Sequence, residues 1–91
     1  MTLRETLALM DDEILVAEGF DEALLGYASR GGGEPFVAVY DRDKCVQLLS
    51  EREGVTIEEA EVFFSSFVEN SWVGDRTPLY VQKLEINTSS N

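Results

Sequence analysis

Two helices, each marked at its start, lie almost back to back between residues 41 and 70. That pairing limits what the chain can fold into. Asp41 is a short acid suited to accept a backbone N–H at a helix start. Cys45, Leu48 and Leu49 follow on one side, with Val46 flanking, up to about Glu53. Gly54 then stands where a helix closes in the left-handed conformation. Thr56-Ile57-Glu58-Glu59 has the pattern of a capping box, a hydroxyl answered by a carboxylate three residues later. It opens a second helix over 57–70 whose apolar set is Ile57, Ala60, Phe63, Phe64, Phe67 and Val68. A stripe that wide must face a core. A connection this short makes 42–53 and 57–70 an antiparallel pair.

The remaining elements are arranged around that pair. Thr2 and Glu5 form another capping box, predicting a helix over 3–11. Leu3, Leu7, Met10, Ile14 and Ala17 follow at spacings of three and four, although residues 14–18 fit an extended segment equally well. Ala23 to Ser29 and Pro35 to Tyr40 are two β-prone runs separated by Arg30-Gly31-Gly32-Gly33-Glu34, a hairpin signal. No helix start and no P-loop lysine follows the glycines, so they read as a turn and not a phosphate cradle. A last strand is expected over 77–83, with Pro78 at its start or on an edge because proline cannot donate to a ladder. Ile86 would extend it, and residues 87–91 are a polar tail.

These elements predict a single α+β domain over 1–86, built in two layers. A small antiparallel sheet, the 23–40 hairpin plus the 77–83 strand, would be covered by the helix pair, with the N-terminal helix added. Phe36, Phe63, Phe64, Phe67 and Trp72 are expected between the layers. Trp72 follows Val68 by four residues and so continues the inward stripe, while Gly74 stops the helix and Asp75-Arg76 turns the chain.

At 91 residues, with 44% apolar composition, such a domain can form a modest core without staples. One cysteine permits no internal disulfide and fits a reducing cytoplasm. No apolar run approaches the roughly 20 residues a membrane span needs. The expectation is a soluble cytoplasmic protein. The dominant bulk signal is charge: 18 acids against seven bases, a formal −11. Such a field repels nucleic acid and anionic membranes and favours partners with basic surfaces.

Catalytic chemistry has little to work with. There is no histidine, which removes the usual near-neutral base and the His-based metal sites. Consecutive acids at Asp11-Asp12-Glu13 do not converge on a hard cation, which needs spaced ligands around a turn. Cys45 falls on the inner side of its helix and reads as a small apolar residue. Tyr40, Asp41, Lys44, Asp75 and Arg76 are candidates for a polar cluster, with Asp41 and Asp75 the carboxylates of a small enzyme. The local alternative is that Asp41 caps a helix and Asp75-Arg76 makes a turn. No cofactor or metal is expected.

Three segments carry a resemblance: Ala38-Val39-Tyr40-Asp41-Arg42-Asp43-Lys44-Cys45, Glu58-Glu59-Ala60-Glu61-Val62-Phe63-Phe64 and Trp72-Val73-Gly74-Asp75-Arg76-Thr77-Pro78. Together they resemble a family of small bacteriophage and prophage proteins over roughly residues 18–81. Family members more often have an acid-Phe-Asn run where this chain has Ser65-Ser66-Phe67, and Glu in place of Asp75. The resemblance implies phage origin and no particular activity. With the charge, it leads to the expectation of a non-enzymatic accessory protein that binds a basic host protein, in one form an inhibitor mimicking nucleic-acid charge. The surface acids expected to meet that partner are Glu51, Glu53, Glu58, Glu59, Glu61, Glu69 and Asp75, together with a partly exposed edge of Trp72. A second reading is a homodimer through Leu3, Leu7, Met10 and Ile14.

Overall fold

Local capping chemistry sets where each helix begins. In the computed structural model, which describes residues 2–29 and 31–84, α1 spans Leu3–Met10. The Glu5 N–H donates to the Thr2 hydroxyl at 3.1 Å and the Thr2 N–H to the Glu5 carboxylate at 2.8 Å. After an irregular segment and a single 3₁₀ turn, β1 (Leu24–Ser29) and β2 (Phe36–Asp41) form the expected hairpin. Its loop places Gly31, Gly32 and Gly33 at φ of 87°, 60° and 83°, three successive left-handed positions that only glycine adopts without strain. Asp41 accepts from the Lys44 N–H at 3.2 Å and opens α2, Arg42–Glu53. Gly54 closes it at φ 67°. Thr56 and Glu59 then cap α3, Ile57–Phe63. β3 is short, Leu79–Val81, and Pro78 sits just before it. The α+β class is therefore as expected. Ile86 and residues 87–91 lie outside the described residues.

The sheet is mixed, not antiparallel. Its order is β1-β2-β3, and β3 runs parallel to β2 with Val39 opposite Leu79 and Tyr40 opposite Tyr80. Parallel neighbours need a crossover of a dozen or more residues. The helix pair is itself that crossover, entered at Asp41 and left through the 70–78 loop.

The helix expected over 57–70 also changes character half-way. From Phe64 to Glu69 the chain is π-helical, with i→i+5 bonding that turns less per residue than an α-helix. The inward stripe is therefore narrower than the sequence spacing suggests. Ala60 and Phe64 are fully buried and Val68 packs on the core, whereas Phe67 lags out of line and is 67% exposed. The helical turns end before residue 71, so the four-residue step from Val68 no longer points inward. Trp72 is 68% exposed, and Phe63 and Phe36 are also exposed.

Of the five rings expected between the layers, only Phe64 is there. Its neighbours are Phe20, edge-on at 5.8 Å, and Tyr80, edge-on at 5.1 Å, with Tyr40 stacked on Tyr80 at 5.6 Å. Leu7, Ala23, Leu24, Ala38, Cys45, Val46 and Leu49 complete the core. Leu7 is thus committed to the chain's own interior and Ile14 packs against it, which leaves Leu3 and Met10 as the exposed ends of the N-terminal stripe.

Arginines tie these layers together. Arg42, only 7% exposed, is held by Glu61 and by Glu69 at 2.9 Å, and lies over the Phe64 ring. Arg76 reaches Asp11 at 2.6 Å and Glu13 at 3.5 Å, and donates to the Phe36 carbonyl at 3.3 Å. The acidic run at 11–13 is therefore partly a clasp for the Trp72 corner and not only a solvated face. The Arg76 hydrogen bond, helped by the Glu13 N–H, holds the Asp11 carboxyl below its usual range.

Cys45 is buried in this core, and burial pushes its thiol up to about 12. At pH 8 it should stay unlabelled by a thiol reagent in the folded protein and react within seconds once denatured. Rapid labelling of the native state, with its circular dichroism unchanged, would show a looser core.

Candidate functional site

The acids at the end of α2 and the start of α3 are held near one another by the tight Glu53–Thr56 connection. Ser50 anchors it by donating to the Val55 carbonyl at 2.6 Å. Glu53 and Glu59 line one groove with Leu49, Val55, Ala60 and Phe63, a cavity of about 250 Å³. Glu51 and Glu58 are exposed at the same end of the helix pair. Glu59 keeps a structural duty there, since its carboxylate accepts from the Thr56 N–H at 3.0 Å.

Four of the expected partner-binding acids, Glu51, Glu53, Glu58 and Glu59, therefore occupy one corner of the fold. The other two on these helices do not join them. Glu61 and Glu69 turn to Arg42 and act as internal clamps. Asp75 is exposed in the corner that precedes β3.

That corner is built around Thr77. Its hydroxyl accepts from the Val73 N–H at 2.9 Å and donates to the Gly74 carbonyl at 2.6 Å, so 73–77 is locked into a turn. Trp72 projects from the start of this turn. Its chain neighbours Ser71 and Val73 line a second cleft of about 390 Å³, together with Leu15, Val16, Glu18, Phe67, Val68 and Tyr80 among others. The Phe63 and Phe67 rings touch, 4.9 Å apart and tilted. Because Phe63 lines the acidic groove and Phe67 lines the cleft, the two depressions are joined by an exposed aromatic bridge.

No family model matches the chain, and neither a curated protein nor a solved structure matches it.

Exposed rings and aliphatic side chains in a continuous strip are uncommon on a small soluble protein and mark contact surfaces. Carboxylates along one border add a preference for cations. Asp41 caps α2 and lies 3.9 Å from Lys83, near the C-terminal end of β3, whereas Asp75 precedes that strand's other end. Tyr40 accepts from the Ala17 N–H at 2.7 Å and Arg76 is engaged with Asp11, so each of these two side chains has a partner outside the expected polar cluster. Among the described residues, no group of three or more His, Cys, Asp or Glu is placed to hold a metal, and no helix is long and apolar enough to cross a membrane.

The apolar half of the surface is what the helical spacing misassigns to the core. One signal for it was available. Val62-Phe63-Phe64 puts three large apolar residues in succession, and successive helical positions cannot all face one core. At least one had to point outward.

Proposed function

We propose that the protein is a non-enzymatic acidic accessory protein, of phage origin, that binds a basic surface of a host protein in the cytoplasm. By presenting carboxylates where that host surface expects phosphates, it would inhibit a nucleic-acid-binding machine. One observation carries the reading: Glu53 and Glu59 converge on an exposed apolar groove in a chain of net charge −11. Opposite charges across an interface steer encounter and select the partner, while the groove and its rings supply the contact area that charge alone lacks.

Affinity purification from host lysate at about 50 mM and about 500 mM salt tests it, since surface charge pairs weaken as the screening length shortens. A genuine partner should be retained at the lower salt and largely lost at the higher. The quadruple substitution Glu51→Gln, Glu53→Gln, Glu58→Gln and Glu59→Gln should weaken its binding by about tenfold or more, a modest share of one kcal/mol per lost charge. Glutamine at 59 still completes the capping box, so the fold should persist. Equal retention at both salts would overturn the reading.

A further inference from the structure

The cleft behind Trp72 lies beyond the acidic corner, and charge mimicry alone gives it no role. We propose that it is an anchor socket: it receives an apolar side chain from a cationic amphipathic helix of the partner, whose basic residues meet Glu53 and Glu59. This rests on the function proposed above and specifies the partner's form. The cleft's volume, about 390 Å³, falls in the range of ligand-holding pockets, and its wall is mainly apolar, with Glu18, Ser71 and Thr77 as polar points; Glu18 is paired with Arg4 at 2.7 Å.

The Phe63–Phe67 bridge links it without interruption to the acidic groove, so one rigid segment could engage both. A helix meets such a surface naturally. Its apolar residues recur on one face at spacings of three and four, and its Lys and Arg flank that face.

Charge decides among the other occupants. A second copy would bring −11 against −11 and set Glu53 and Glu59 against like charges, and an anionic lipid surface meets the same repulsion. A flexible polybasic tail would satisfy the carboxylates but leave the socket empty. The rigidity of the socket supports an anchor. Thr77 locks one part of the lining through Val73 and Gly74, and the Ala17 N–H donates to the Tyr40 hydroxyl at 2.7 Å to fix another.

The test uses a labelled synthetic peptide of roughly 18 residues, about five helical turns, made only of Leu and Lys with the leucines on one helical face. It is compared with a scramble of the same composition by fluorescence anisotropy. The amphipathic peptide should bind the full-length protein about tenfold more tightly than the scramble. The double variant Phe67→Ser, Val73→Ser should erase that preference while leaving the weaker, salt-sensitive binding of both peptides. Both residues are exposed, and an unchanged melting temperature would show that the fold is kept. Glu53→Gln with Glu59→Gln should instead weaken both peptides by a similar factor. Equal affinity for the two peptides, or a preference that survives in the serine variant, would overturn the socket while salt-sensitive binding kept the acidic reading alive. No measurable binding of either peptide at about 50 mM salt would overturn both.

Discussion

Phe64→Ala should destabilise the protein by about 3–5 kcal/mol, the usual cost of removing a fully buried phenyl ring. Phe64 is the one ring on which the layers converge: it touches Phe20 and Tyr80 and lies beneath the Arg42 guanidinium. Domains of this size have only about 5–10 kcal/mol in total. The melting temperature should fall by about 12 °C or more, and a substantial unfolded population at 37 °C is expected. The same substitution at Phe67, three residues on, should cost under about 1 kcal/mol because that ring is already in water. Thermal or urea denaturation of the two variants checks this directly. Equal losses would mean that Phe67 belongs to the core and that the exposed aromatic bridge does not exist.

Arg42→Met should cost about 2 kcal/mol. Breaking a fully buried pair costs more, about 3–5 kcal/mol. Here Glu61 and Glu69 are partly exposed and can rehydrate once the guanidinium is gone, so the figure is discounted. Methionine keeps most of the packing over Phe64, so what is lost is chiefly the clamp between the start of α2 and the π-helical turn. A double-mutant cycle with Glu69→Gln should show clear coupling, since the two groups are hydrogen-bonded at 2.9 Å. Additive effects would show that Arg42 acts by packing alone. The variant should also loosen the turn that carries Phe67, so amide exchange near residues 64–69 should quicken.

Arg42 illustrates what a one-dimensional reading misses. Its burial depends on carboxylates 19 and 27 residues away, and nothing in the run Asp41-Arg42-Asp43-Lys44 separates it from the other charged residues there. Features governed by near neighbours were legible. The caps at Thr2, Asp41 and Thr56, the closing Gly54 and the triple-glycine hairpin each rest on bonds or dihedrals spanning a few residues. The direction of β3 was not legible in the same way, because it depends on how the helix pair carries the chain across the sheet.

The inward placement of Phe67 and Trp72 failed for a related reason. Their spacing points inward only if a period of 3.6 residues continues through Phe67 to Trp72, and the π-helical turn from Phe64 to Glu69 breaks that period. Phe20, which is buried, escaped notice because it lies in an irregular segment where no periodicity exists to mark it. For the site, Glu51, Glu53, Glu58 and Glu59 could be placed from helix ends alone. Glu61 and Glu69 could not, since their role is set by Arg42. The socket required two loops and the π-helical turn to be brought together.

The exposed apolar strip, bordered by acids and ending at the Trp72 corner, is the surface we propose for docking of a cationic partner. The chain has a single tryptophan, and it lies between Ser71 and Val73, both lining the cleft. Its fluorescence is therefore a local probe. In the free protein, acrylamide should quench Trp72 readily. At about 50 mM salt, saturating Leu/Lys amphipathic peptide should shift the emission to shorter wavelength and protect the indole, and raising salt to about 500 mM should reverse both changes. An indole already shielded in the free protein, or emission and quenching unchanged at saturating peptide, would contradict the account.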